Sequence, residues 1–291
     1  METVGGQAVM EGVMMRSKDT VVTAVRDPNG KIVYKKDKVK SLTKKPPFKW
    51  PFLRGIISLY ETLVIGMKSL NYSADVAMHD GRKVESTKKE WVFMAFSVVL
   101  SLGLAIAIFK FIPLALTQFA SGFSSVFGNR FVFNIVEGVL KLGMFIGYIV
   151  LIGQMKDIRR VFQYHGAEHK AVNCYEAGKP LTVEAAKTFS TVNPRCGTSF
   201  LLFVILVSIL VYIVIPLDFS FWVKLGLRLL LLPVIAGVSY EVLKLSAKYP
   251  KNSVFKAISA PGLWVQRLTT KEPDDRQLEV ALFSLRKAVK N

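Results

Sequence analysis

The residues best suited to chemistry lie in one run, Gln163 to Gly178, which reads QYHGAEHKAVNCYEAG. His165 and His169 are four residues apart, so a helix places both on one face. Glu168 precedes His169 and follows His165 by three. His-x-x-Glu-His is the inverted zincin order, in which two imidazoles hold a divalent ion and the glutamate acts on a bound water. The same residues also fit an ordinary helix surface. Two of the chain's three histidines fall beside Glu168, which favours the metal reading, with a divalent ion such as zinc as cofactor. Cys174 and Cys196 add two thiols, so a closed structural site of His165, His169, Cys174 and Cys196 is an alternative.

Glu11 raises a related question. It is the single carboxylate in GGQAVMEGVMMRS (Gly5 to Ser17), an apolar, glycine-flanked stretch where burial of a charge is costly. It is expected either to supply a third metal ligand or to pair with Arg16 or Arg195. In the catalytic version Glu168 is the general base, and Arg195 stabilises developing negative charge.

These residues must be positioned by helices in an apolar chain. Of 291 residues, 51% are hydrophobic, and the formal net charge is +18. Four stretches are long enough to cross about 30 Å of hydrocarbon as helices: Trp91–Leu116, Phe131–Gly153, Phe200–Leu217 and Trp222–Leu245. Lys and Arg alternate between the connections. Residues 1–90 hold 17 and segment 154–199 holds seven, whereas 117–130 holds one and 218–221 none. The positive-inside rule then predicts both termini and the 154–199 loop in the cytoplasm, with reduced thiols. The Gly-rich N-terminus lacks the charged-then-apolar pattern of a cleaved leader.

Outside the spans, TVVTAVRD-PNG-KIVYKK reads as a β-hairpin, and GGQAVM and VMMRS add two short strands with Glu11-Gly12 at their turn. Lys35 to Lys49 is a basic linker. Phe52–Leu70 is expected to be an in-plane helix with Ile56, Tyr60, Leu63 and Met67 on its apolar face. Ser253–Leu268 reads as a broken amphipathic segment, and Pro273–Lys290 as an amphipathic helix packed on the cytoplasmic part. The expected fold is thus a mostly α membrane protein, with four transmembrane helices, a small β-rich N-terminal cytoplasmic piece and amphipathic cytoplasmic helices. Its segments are 1–50 (β-rich piece and basic linker), 51–90 (interfacial helix), 91–153 (first hairpin), 154–199 (cytoplasmic loop), 200–245 (second hairpin) and 246–291 (tail).

Charges inside the spans need partners. Counting about 1.5 Å per residue from the outer ends puts Lys110, Glu137 and Arg228 at one depth. Glu137 is therefore predicted to face the bundle and pair with Arg228 or Lys110.

The blocks GGQAVMEGVMMRS, WPFLRGI, YHGAEHKAV, NPRCGTSFL, LLPVIAGVSYEVLKL and SAPGLWVQRLTTKEPDDRQLEVAL resemble the signature segments of the YqhQ family, bacterial membrane proteins named as predicted metal-dependent enzymes. The resemblance runs from residue 5 to residue 282 and implies a multi-pass protein of the bacterial plasma membrane. It carries Glu11, Arg16, His165, Glu168, His169, Pro194, Arg195 and Cys196 as motif positions. Asn193 stands where the family frequently has His, and Cys174 is not a family position, so His165, His169 and Glu11 lead the ligand set.

Three function classes follow. One is a metal-dependent hydrolase at the cytoplasmic face. The second is a non-enzymatic assembly or scaffold factor docking a ribosome or another membrane protein. The third, less favoured, is a small-solute or ion transporter. The lipid bilayer is a partner in each. No aromatic-basic interleaving points to sequence-specific nucleic-acid binding.

Overall fold

The computed structural model describes residues 2, 4–79, 88–249 and 252–289. Its N-terminal part is a four-stranded antiparallel meander of β1 (Val4–Val9), β2 (Gly12–Ser17), β3 (Thr20–Arg26) and β4 (Ile32–Lys38), in that spatial order. The first turn is Met10-Glu11, with Glu11 at φ 49°. Gly12, expected in that turn, is instead the first residue of β2. A Cβ there would lie 2.2 Å from the Ala24 carbonyl oxygen, so close strand approach explains the glycine. β1 is left as an edge strand beside the helices.

The helices are α1 (Leu53–His79), α2 (Lys88–Ile106), α3 (Ile112–Ser121), α4 (Arg130–Ile152), α5 (Lys156–Glu176), α6 (Val183–Lys187), α7 (Gly197–Tyr212), α8 (Phe221–Leu230), α9 (Leu232–Lys248), α10 (Ser253–Thr269) and α11 (Asp275–Val289). One face of the sheet packs on α5 and α11. Val13, Met15 and Val22 meet Ala167, Ala171, Leu278, Leu282 and Leu285 there. Ser284 Oγ on α11 donates to the Val22 carbonyl at 2.9 Å. This is the packing role expected for the C-terminal amphipathic stretch.

The other sheet face packs on α1, where Val9, Met14, Val21 and Val25 meet Ile65 and Val76. The contact is partly polar. Thr23 Oγ1 donates to Ser69 Oγ at 3.0 Å, and Met10 N–H donates to Ser73 Oγ at 3.2 Å. Polar residues of α1 thus face the sheet, while Tyr60 (59% exposed) and Leu63 (68%) face outward. The helix also extends well past Leu70, because this sheet contact supports a further two turns.

Among the described residues, two helical stretches are long and apolar enough to cross a membrane, Phe96–Ser121 and Arg130–Ile152. The pair α8 and α9 makes a third if it is one span bent by 45°. Among the described residues, two to three helices are thus long and apolar enough to span, not clearly the four expected. Pro233 lies in the first turn of α9 and bends the last segment, since its ring removes a backbone donor. Phe200–Leu217 gives only the 16-residue α7, which starts earlier and stops at Tyr212 before Pro216. The first stretch runs beyond Leu116 to Ser121, with a π-turn at Ala107–Phe111 just before Pro113. Ser253–Leu268 is a single helix, α10, that accommodates Pro261 internally.

Candidate metal centre

α5 brings His165 and His169 together with ring centroids 4.4 Å apart. Each ring is oriented by a backbone carbonyl. His165 Nδ1 lies 3.0 Å from the Thr269 carbonyl oxygen, and His169 Nδ1 lies 2.5 Å from that of Thr191. A carbonyl only accepts, so each Nδ1 donates its hydrogen, and in the neutral ring Nε2 is the nitrogen left with a lone pair. Such second partners are what metal-binding imidazoles have.

The third member comes from α7. Cys196 caps this helix, its sulfur accepting from Thr198 N–H at 3.4 Å and lying 3.2 Å from His165 Nε2. Donor atoms of His165, His169 and Cys196 all fall within 4.8 Å of one another. Two imidazole nitrogens and a thiolate sulfur suit zinc, and three protein ligands leave a fourth position for water or substrate.

Glu168 stands next to this group, with Oε2 3.4 Å from His169 Nε2. Gly6 of the edge strand donates its N–H to this carboxylate. A Cβ at Gly6 would lie 2.7 Å from both Cγ and Oε1 of Glu168, so the glycine lets strand and carboxylate meet. Burial pushes Glu168 up to about 7, against the opposing effects of His165 and the Gly6 N–H. A pocket of about 440 Å³ opens over these groups, lined also by Asn193, Arg195 and the β1 segment Val4–Ala8.

The loop before Cys196 is fixed by buried amides. Asn193 N–H donates to Gln266 Oε1 at 3.0 Å, Gln266 Nε2 donates back to the Asn193 carbonyl at 2.9 Å, and Asn193 Nδ2 donates to Asn173 Oδ1 at 2.9 Å. Asn193 is thus a positioning residue for the cysteine. The carbonyls of Thr191 and Thr269, the Gly6 N–H and Gln266 are functional groups that sequence reasoning missed. Only Gly6 left a signal, as a glycine with no turn to serve.

Glu11 is not brought to the cluster. Its carboxylate is engaged by the Arg160 guanidinium, bidentately, and accepts from Tyr164 Oη at 3.3 Å. The expected alternatives are also otherwise engaged: Arg16 lies 3.6 Å from Glu61, and Arg195 pairs with Glu176. The reason is the hairpin geometry. The Met10-Glu11 turn projects Glu11 toward the start of α5, more than a turn before the histidines. Arg195 lines the pocket while its guanidinium pairs with Glu176. The two-cysteine closed site is not formed, because Cys174 is buried in the apolar core and donates to the Pro180 carbonyl at 3.3 Å.

A second cluster lies among the apolar helices. Glu137, 1% exposed, is paired with Arg228 and with Lys141, the latter at 2.6 Å. Arg228 also donates to Asn134 Oδ1 at 3.1 Å. Lys110 donates to Tyr212 Oη at 3.2 Å, so its side chain points inward rather than out to a headgroup. The cations of Lys141 and Arg228 lie over the same tyrosine ring, at 4.7 and 5.0 Å.

The family described as "Protein of unknown function (DUF1385)" matches residues 50–291, and the chain belongs to it. The chain is 39% identical over 290 residues to "Uncharacterized protein YqhQ" of Bacillus subtilis (strain 168), an alignment covering 96% of this chain and 90% of that protein. No solved structure matches.

Proposed function

We propose that this member of the DUF1385 family is a metal-dependent hydrolase of the bacterial plasma membrane with its centre at the cytoplasmic face. One observation carries the reading. Two imidazoles with carbonyl-fixed tautomers aim their free nitrogens at the same small space as a helix-capping cysteine, and that space opens to a pocket. In this reading His165, His169 and Cys196 hold a divalent ion, zinc by donor type. Such an ion supplies Lewis-acid polarisation and an activated water. Glu168, next to His169, would take the proton of the attacking water, and Arg195 in the pocket lining would offer positive charge to a developing oxyanion.

We read four crossings: α2–α3, α4, α7 with the apolar residues that follow it to Leu217, and bent α8–α9. The basic segments 1–90 and 154–199 alternate with connections almost free of Lys and Arg, which supports placing both termini and the metal centre inside.

Metal analysis of the detergent-purified chain tests the centre. Wild type is expected to retain zinc through size-exclusion, and His165→Ala/His169→Ala to lose it. Cobalt exchanged into wild type is expected to show a thiolate charge-transfer band that Cys196→Ser abolishes. A wild type that binds neither ion refutes the proposal.

A further inference from the structure

A groove of about 800 Å³ leads away from the candidate centre along α1. It shares the β1 residues Val4–Gln7 with the metal pocket, and Arg195 and Gly197 line both. The two spaces therefore adjoin. The groove has an apolar side made by Leu59, Leu63 and Met67 of α1, Phe200 of α7 and Leu243 of α9. Leu63 and Met67 belong to the outward stripe of α1, so this side continues onto an exposed apolar surface.

The other side is cationic. Arg16, Lys18 and Arg195 line the groove, and among the described residues no carboxylate does. Each cation is held from outside by one carboxylate: Arg16 by Glu61, Lys18 by Glu2 and Arg195 by Glu176. A lipid phosphate would take these cations over from their carboxylates, none of which lines the groove. An apolar wall together with three cations in one lining describes the complement of an anionic amphiphile. A peptide segment has a neutral backbone and would need no trio of cations.

We propose that the groove receives an anionic membrane lipid whose headgroup is a terminal phosphate. The acyl or prenyl chain lies against α1, α7 and α9. The phosphate rests on Arg16, Lys18 and Arg195, of which Arg195 also lines the histidine pocket. This names the substrate class of the proposed hydrolase and rests on that reading for its chemistry. In the hydrolysis, the water oxygen bonds to phosphorus, the phosphorus–oxygen ester bond breaks, and the proton taken by Glu168 passes to the leaving alkoxide. No oxidant or second substrate is needed.

The test uses the full chain in phosphatidylcholine nanodiscs containing a phosphatidic acid with a diazirine in its acyl chain. Irradiation is expected to label peptides from α1 and α7. Unlabelled phosphatidic acid should compete, and extra phosphatidylcholine should not. Lys18→Gln and Arg195→Gln each remove one charge-assisted contact and should weaken labelling by roughly tenfold, with zinc content unchanged as the control for folding. Equal labelling by a diazirine phosphatidylcholine overturns the proposal. So does displacement by glycerol phosphate alone or by an apolar single-span peptide. His165→Ala/His169→Ala should lose zinc and keep the label. Headgroup-dependent labelling of a wild type that holds no zinc would refute the hydrolase and leave the lipid site standing. Zinc without labelling would do the reverse.

Discussion

Replacing Glu168 by Gln should change the pH dependence of stability of the metal-stripped protein in a defined direction. The carboxyl is 5% exposed, so solvent screening of its electrostatics is small. Burial raises it from 4.5 to about 7. Between those values the folded chain keeps a proton that the unfolded chain has released. Stability therefore falls with rising pH. The contribution is fully present below about pH 4.5 and is lost as the pH rises through about 7. About 2.5 units at 1.36 kcal/mol each set the ceiling near 3 kcal/mol, and on the order of 2–3 kcal/mol of it falls between pH 5 and 8. Glutamine keeps an acceptor for the Gly6 N–H and cannot ionise. Chemical denaturation in one detergent, with chelator present, would compare both proteins at pH 5, 6.5 and 8. Other titrating groups contribute to both curves and cancel in their difference. Wild type should lose those 2–3 kcal/mol relative to Glu168→Gln across the range. Parallel pH curves would refute the assigned burial and, with it, the placement of Glu168 against the edge strand.

Two further outcomes follow from the ion pairs. Glu11→Gln should cost no more than about 1 kcal/mol, because its pair with Arg160 is partly exposed; the variant should retain full zinc content, and loss of zinc by metal analysis would return Glu11 to the ligand set. Glu137→Gln leaves Arg228 and Lys141 without their carboxylate in a buried site and should cost about 3–5 kcal/mol in the same denaturation assay; the doubly apolar Glu137→Leu/Arg228→Met should recover a large part of that, and a single variant as stable as wild type would show that the cluster is solvated.

What was legible in the sequence was mostly periodicity and spacing. The hairpins, the amphipathic tail helix and the helical face shared by His165 and His169 all follow from patterns a few residues long. The polar face of α1 was legible, but not that it packs on the sheet, since Ser69 and Ser73 find their partners in β3 and in the β1–β2 turn, whose positions only the fold defines. The pairing of Glu137 with Arg228 was legible for a different reason. Helical rise converts residue number into depth, so charges on separate spans can be compared before their packing is known. Glu11 had no such ruler. Its partner Arg160 is 149 residues away, and nothing local separates it from Arg16 or Arg195. The carbonyls of Thr191 and Thr269 were invisible in principle, since every residue has one and only the loop's path selects it. Cys196 lies between these cases. A thiol one residue before a charge-free apolar helix is a capping position, and that alone places its sulfur at a helix start on the side of the basic loop. Read from the sequence, Glu11 led the ligand set ahead of Cys196, although the capping position already puts the sulfur on the side of the two histidines. The capping position was the stronger signal because it constrains where an atom is, whereas an unexplained charge constrains only that it has some partner.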